Sequence, residues 1–189
     1  CIFDVTTDIS KVSYNDIIII YVQTNYHEQL IRKIAPYLKN DQIIIINPGY
    51  LSTTFMLKYC KDKDITIVEA TSSFIDCRII DPGIIKVGFR NVRNPIGIYP
   101  RKNINLVKEK LDCLQYNFHY FSTIEIALHN PNLIVHTVGA IMSIPRIEKK
   151  KDEYCMYWEV WTPSVWNILE KLDGEKMNVL EHLGFERIR

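Results

Sequence analysis

The chain has 189 residues, 47% of them hydrophobic and 24% charged, and 23 Lys and Arg against 22 Asp and Glu leave a formal net charge of +1. That is material for one large or two small domains with a substantial core, and the balanced charge argues against a nucleic-acid or membrane-surface role, since the basic run 149–151 reads as a solvated loop. Five cysteines (Cys1, Cys60, Cys77, Cys113, Cys155) without CxxC spacing favour reduced thiols over a disulfide frame or a metal site; no apolar run approaches the ~18 to 20 residues of a membrane span, no signal peptide is visible, and the expected setting is cytoplasmic.

Residues 1–5 read as a short strand with no initiator methionine or glycine-rich turn before it. Residues 5–16 are a polar link in which Asp8 or Ser10 can cap a brief helical turn. The β-branched run 17–22 is of the kind found in parallel strands covered on both faces. His27, Leu30, Ile31, Ile34 and Leu38 then space out an amphipathic helix over 25–38, distorted near Pro36. A second buried strand, 43–46, ends in Asn47, Pro48 and Gly49; a helix over 51–61 and a strand over 65–70 follow. Strand and helix alternating at this length predict βαβ crossovers in a doubly wound α/β sheet. Ligands of such sheets sit outside the carboxyl ends of the strands, which here carry Gln23 and Thr24, then Asn47 to Gly49, then Glu69 to Ser73. Those residue types are also ordinary turn chemistry.

Residues 83–90 and 95–100 read as two strands joined in a hairpin by the basic turn 91–94, finishing the sheet with Arg90 and Arg93 on the surface. An amphipathic helix over 104–114 and a short strand over 117–121 follow, with His119 read as a core residue. Near Ser122 and Thr123 strand-like alternation gives way to helical spacing, which predicts domains over 1–122 and 123–189. Asn130 and Pro131 form a helix-start signal. Leu133, Ile134, Val135, Val138, Ala140, Ile141, Met142 and Ile144 make the helix apolar around nearly its whole circumference, predicting burial on most sides, and Pro145 should stop it. Within it Asn132 and His136 stand four residues apart on one face, roughly 5 to 6 Å from each other. Two readings of the pair stand: a core histidine tied to a backbone carbonyl beside a bracing asparagine, or a general acid/base lining a cleft beside a group that holds substrate. Residues 146–153 are a charged connection, and the aromatic stretch 154–161 packs on the first domain or serves as a lid. Thr162 and Pro163 start a last helix whose face Val165, Ile168, Leu169, Leu172, Val179, Leu180 and Leu183 trace, with Gly184 at its end.

HNPNLIVH at 129–136, YWEVWTPSVWNILEKLDGEK at 157–176 and HLGF at 182–185 resemble the helical domain of the opine dehydrogenases, the octopine and nopaline dehydrogenase family. The stretch before them is similar to the second half of that family's nucleotide-binding domain. The resemblance implies an incomplete Rossmann-type domain followed by an all-α domain, with His136 as the catalytic histidine and Asn132 as its neighbouring asparagine. It makes Gln23, Thr24, Asn47, Gly49 and Glu69 loop residues under the nicotinamide and ribose of bound NAD or NADP. Cys77 and Arg78 match a Cys-Arg pair common in the family and would meet a substrate carboxylate, or else Arg78 forms a structural ion pair. Asp173 and Glu175 match a family pattern and are read as structural. No GxGxxG occurs, nor the acidic residue some ~20 positions beyond it. Both precede this region in the family, and an arginine and aspartate that partner the histidine follow it, so an internal fragment is expected. The implied reaction is reductive condensation of an α-keto acid with the amino group of an amino acid, with room for a homodimer and no nucleic-acid or membrane partner. A 2-hydroxyacid or ketopantoate-type reductase and a non-catalytic dinucleotide-binding module are the competing expectations.

Overall fold

A computed structural model describes residues 4–150 and 152–187. Of the strand expected over 1–5, residues 1–3 lie outside the described residues, and Asp4 and Val5 carry no strand. The chain divides into two compact units, Cys1–Ala127 and Leu128–Arg189.

The first unit opens with a 3-10 turn, Ile9–Tyr14, whose start is capped by Asp8: its carboxylate accepts from the Ser10 N–H at 3.0 Å and the Ser10 hydroxyl at 2.7 Å. Three strands then run parallel, β1 (Ile17–Ile20), β2 (Ile43–Ile46) and β3 (Thr66–Ala70), in a register that sets Ile17 beside Ile43 and Ile43 beside Thr66. The crossovers are helices α1 (His27–Ile34) and α2 (Thr53–Tyr59). As expected near Pro36, α1 tightens into a 3-10 turn, Ala35–Tyr37, because the ring removes a backbone donor. Strand alternation sorts the core into two layers: Ile44, Ile46 and Ile67 pack with Ile31, Ile34 and Met56 on the helical side, while Ile43, Ile45 and Val68 turn to the opposite face. β1 departs from its expected burial. It pairs with β2 along one edge, and Ile19 is 43% exposed.

The two strands expected as one hairpin separate. Residues 83–90 fold back as β5 (Ile84–Arg90) on β4 (Ile75–Asp81), forming a two-stranded ribbon of its own. The tight turn responsible contains Pro82 and Gly83, the latter at φ +78°, a left-handed conformation that glycine adopts without strain. β6 (Asn94–Tyr99), with Ile96 and Ile98 fully buried, enters the main sheet antiparallel to β3, and β7 (Phe118–Phe121) lies parallel to β6. The sheet order is therefore β1-β2-β3-β6-β7, a mixed sheet whose one antiparallel pairing, β3 with β6, joins the parallel β1–β3 set to the parallel β6–β7 pair. Helix α3 (Ile104–Leu111) covers the second face through Val107 and Leu111. His119 is exposed rather than core, because Phe118 and Tyr120 on either side of it take the inward positions beside Phe74 and Tyr116. Helix α4 (Thr123–His129) begins with a capping box: the Glu125 carboxylate accepts from the Ser122 N–H at 2.8 Å while the Ser122 hydroxyl accepts from the Glu125 N–H at 3.2 Å.

The second unit is helical, with α5 (Asn132–Lys149), α6 (Met156–Glu159) and α7 (Pro163–His182) around a small core of Val138, Val160 and Val165. Both helix starts read from the sequence are present: the Asn130 side-chain oxygen accepts from the Asn132 N–H at 3.0 Å, and the Thr162 hydroxyl from the Val165 N–H at 3.4 Å. At the far end of α7, Gly184 (φ +82°) closes a Schellman motif, its N–H on the Glu181 carbonyl and that of Phe185 on Leu180. Pro145 does not stop α5, which continues to Lys149. The proline sits on an exposed stretch where water can take the carbonyl its ring leaves unbonded, and Arg146 ties the last turn to Asp152, Glu159 and the carbonyls of Lys150 and Glu153. Nor is α5 buried on most sides: Ile134, Val138, Gly139 and Ser143 form its inward stripe, and Ile141 is 58% exposed. On α7 only Val165, Leu169 and Leu180 of the expected face are buried. Trp158, in the aromatic stretch expected to pack or cover, is 88% exposed.

Candidate functional site

At the carboxyl ends of the parallel strands the structure brings Asn47, Gly49 and Glu69 together. Asn47 continues the ladder through its N–H to the Ile20 carbonyl, and its side-chain Nδ2 donates to the Tyr21 hydroxyl at 2.8 Å. Asn47 is 1% exposed, yet its Oδ1 has no hydrogen-bond partner among the described residues. A buried acceptor left in this state costs on the order of 1–3 kcal/mol, so the atom is chemically suited to a donor brought by a ligand. Burial pushes the Tyr21 phenol above its usual range.

Gly49 packs directly on Glu69. A Cβ at position 49 would lie 2.4 Å from both Cβ and Oε2 of Glu69, which no side chain tolerates. Glu69 itself is fully buried, and its carboxylate accepts from the Leu51 N–H at 2.8 Å, the Thr53 N–H at 2.6 Å and the Thr53 hydroxyl at 2.6 Å. Burial pushes this carboxyl up, while the Thr53 and Leu51 donors pull it back toward the ionised form. With both oxygens engaged, Glu69 is the clamp of the loop entering α2, a role its position at a strand tip did not reveal.

Next to this loop stands a buried pair that the sequence did not show. His27 Nδ1 lies 2.6 Å from the Ser52 hydroxyl, and Nε2 lies 3.1 Å from the Val22 carbonyl. The carbonyl can only accept, so Nε2 carries the proton and Nδ1 receives the serine hydroxyl. His27 was legible as part of the apolar face of α1; Ser52, 25 residues away, was not. Gln23 and Thr24, just before α1, are exposed. Cys77 and Arg78 are not gathered with these residues. They lie exposed on the β4–β5 ribbon, where Arg78 bonds to Asp76 at 2.9 Å, the structural ion pair that was the second expectation for it.

In the second unit Asn132 opens α5, and His136 follows one turn later on an exposed face. The ring is not sealed in hydrocarbon: the core-histidine reading, with its backbone carbonyl partner, fails. The Tyr157 hydroxyl stands 3.3 Å from both ring nitrogens of His136, and the two rings meet edge to face with centroids 5.9 Å apart. Asp173, held apart from any site at the sequence level, pairs with Lys176 at 2.6 Å. Among the described residues no three His, Cys, Asp or Glu side chains converge as metal ligands do, and no helix is long and apolar enough to cross a membrane.

Parallel strands with helical crossovers, polar strand tips and a following helical unit define a Rossmann-type α/β fold with an all-α companion. Residues 120–189 match the family described as NAD/NADP octopine/nopaline dehydrogenase, alpha-helical domain. The match covers the helical segment, and the chain as a whole is similar to opine dehydrogenases. It is 27% identical over 183 residues to an opine dehydrogenase of Arthrobacter sp. (strain 1C), covering 92% of this chain and 50% of that protein. Among solved structures it resembles an octopine dehydrogenase with NADH and L-arginine (TM-score 0.73, 15% identity, 93% of this chain and 46% of that one). It also resembles a PanE/ApbA family ketopantoate reductase from Ralstonia eutropha JMP134 (TM-score 0.63, 10% identity, 97% and 57%). The chain thus spans about half the length of these opine and octopine dehydrogenase relatives.

Proposed function

We propose that this chain supplies part of the dinucleotide site and the acid–base group of an NAD(P)H-dependent oxidoreductase that joins an α-keto acid to the amino group of an amino acid. The observation that carries the reading is His136, exposed on α5 one turn after Asn132, inside a segment that matches the opine dehydrogenase helical-domain family. The orphaned Asn47 Oδ1, beside the close-packed Gly49, fits a dinucleotide hydroxyl or amide donor at the strand tips, and Gln23 and Thr24 follow closely on Tyr21, the residue to which Asn47 is hydrogen-bonded. When bound, the nicotinamide supplies the hydride that reduces the imine carbon.

The residues of this chain handle protons and orientation. Condensation of the amine with the keto group passes through a carbinolamine that must lose its hydroxyl as water. An imidazolium nitrogen of His136 gives its proton to that hydroxyl, and the nitrogen lone pair of the substrate closes the C=N bond. Asn132 holds a carbonyl or carboxylate oxygen of the keto acid through its side-chain amide. General acid help of this kind is worth about 10² to 10⁴ in rate. In an active protein carrying this sequence, His136→Gln is expected to lower kcat by about that factor, with dinucleotide affinity nearly unchanged in a fluorescence titration. Retained turnover would refute the assignment.

The likeness to a ketopantoate reductase favours a second reading, reduction of a keto acid alone. Oxidation of NADH in the presence of keto acid, with and without amino acid, separates the two: the condensation requires both substrates, and full rates with keto acid alone establish the reductase. Dinucleotide binding with no turnover across a panel of keto and amino acids would leave only a binding module.

A further inference from the structure

We propose that His27 is a positioning residue of the dinucleotide site: its buried ring ties the loop that follows β1 to the loop that enters α2, and so sets the spacing between the two strand tips that hold the dinucleotide. That role rests on the dinucleotide reading of Gln23, Thr24, Asn47 and Gly49 and adds to it the group that keeps them in register. His27 is 0% exposed at the first position of α1. Its Nε2 donates at 3.1 Å to the carbonyl of Val22, the residue before Gln23, and its Nδ1 accepts at 2.6 Å from the hydroxyl of Ser52, three residues after Gly49. A carbonyl has no proton to give, so the tautomer follows from the geometry.

The Ser52 loop needs such a support. Tyr50 and Leu51 stand at φ +50° and +63°, left-handed values that cost a residue with a side chain free energy and persist only where the surroundings fix them. From β3, Glu69 accepts from the Leu51 and Thr53 N–H groups, and the Ala70 carbonyl accepts from Gly49. From the side of β1 the loop is met at two points, by Ile20 and Tyr21 on Asn47 and by His27 on Ser52. The Ser52 N–H also bonds the Gly49 carbonyl at 3.2 Å, so a displaced Ser52 moves Gly49 and, through it, Asn47, whose Oδ1 is the acceptor open to a ligand.

The bridge is sensitive to protons. Imidazolium carries N–H at both nitrogens, so the Ser52 hydroxyl can no longer donate to Nδ1, and with both residues 0% exposed the added charge has no water to carry it. The ionisable groups of the surrounding elements are engaged elsewhere: Glu28 of α1 with Lys58 and Tyr59 of α2, Glu69 of β3 with Leu51 and Thr53, and Tyr21 after β1 with Asn47. Arg32, further along α1, brings only a like charge. Neutral His27 is therefore the form that holds the loops together, and burial keeps its ring below the ordinary 6.5.

The test is a fluorescence titration with NADH and with NADPH from pH 8 to pH 5, in an active protein carrying this sequence, with far-UV circular dichroism confirming the folded state at each pH. His27→Gln keeps a donor for Val22 and an acceptor for Ser52 but takes up no proton. Across that range wild-type affinity should fall about threefold or more beyond the fall seen in His27→Gln. His136 and the other titrating groups are common to both proteins, so the difference between the profiles belongs to His27. Ser52→Ala should weaken the dinucleotide by about three- to tenfold at pH 8, the worth of one hydrogen bond, at a temperature well below the thermal midpoint, where a loss of global stability does not lower affinity. Parallel pH profiles for wild type and His27→Gln overturn the proposal, as does wild-type affinity in Ser52→Ala. A wild type that binds neither dinucleotide at pH 8 overturns the dinucleotide reading of the strand tips instead.

Discussion

At Gly49 the missing side chain is what lets two loops meet. Its N–H bonds the Ala70 carbonyl at 2.9 Å, and the space a Cβ would need is filled by the stem of Glu69, which is itself immobilised by donors from Leu51 and Thr53. Neither partner can give way cheaply. Gly49→Ala should therefore cost about 1 to 3 kcal/mol, read as a lower urea midpoint with unchanged slope, and should weaken dinucleotide binding through displacement of Asn47. His27 yields a prediction in pH. Burial holds its imidazole below the ordinary value of 6.5. The unfolded chain therefore binds a proton near 6.5 that the folded chain refuses until lower pH, so stability contributed by neutral His27 is full above that value and is lost as the pH falls below it. Glu69 has the opposite sign, since its raised carboxyl binds a proton more readily when folded. The informative quantity is consequently the difference between wild type and His27→Gln: urea midpoints measured from pH 8 to pH 5 should fall more steeply in the wild type. Parallel curves would show that His27 is not the group responsible.

At the scale of elements, the β4–β5 ribbon is the least supported piece of the first unit. Every residue of β5 is exposed, Ile79 on β4 is 78% exposed, and the ribbon pairs with no strand of the main sheet. A two-stranded ribbon by itself is marginally stable in water. Its amides should exchange with solvent orders of magnitude faster than those of β2 and β3, whose side chains are all buried; equal protection would mean that the ribbon is covered in solution. The same contrast explains the pairing error in the sequence reading. Residues 83–90 mix Lys86 and Arg90 with apolar side chains, as a solvent-exposed ribbon permits, whereas Ile96 and Ile98 demand neighbours on both edges. The Asp-Pro-Gly turn at 81–83 was the available signal. Likewise, the Ser122 to Glu125 capping box was an unread local signal for the start of α4, while the exposed Pro145 of α5 looked like a terminator only because sequence does not reveal that its lost carbonyl partner faces water.

Across the whole molecule, the parts legible in the sequence were those governed by local spacing. The β-branched runs, the amphipathic period of α1, the proline distortion after it, the Asn130 and Thr162 caps and the terminal Gly184 all follow from contacts within a few residues, so order and type of the elements could be read directly. The family likeness, resting on local motifs around Asn132 and His136, was legible for the same reason. Tertiary structure alone decided the reversal of β6, the engagement of Glu69 by the α2 loop, the burial of His27 against Ser52 and the approach of Tyr157 to His136. Each of these joins residues distant in sequence, 21 positions apart for the last pair and 25 for His27 and Ser52. Such meetings are selected by how apolar faces pack and which buried polar atoms find partners, and neither quantity is set until the chain has closed on itself.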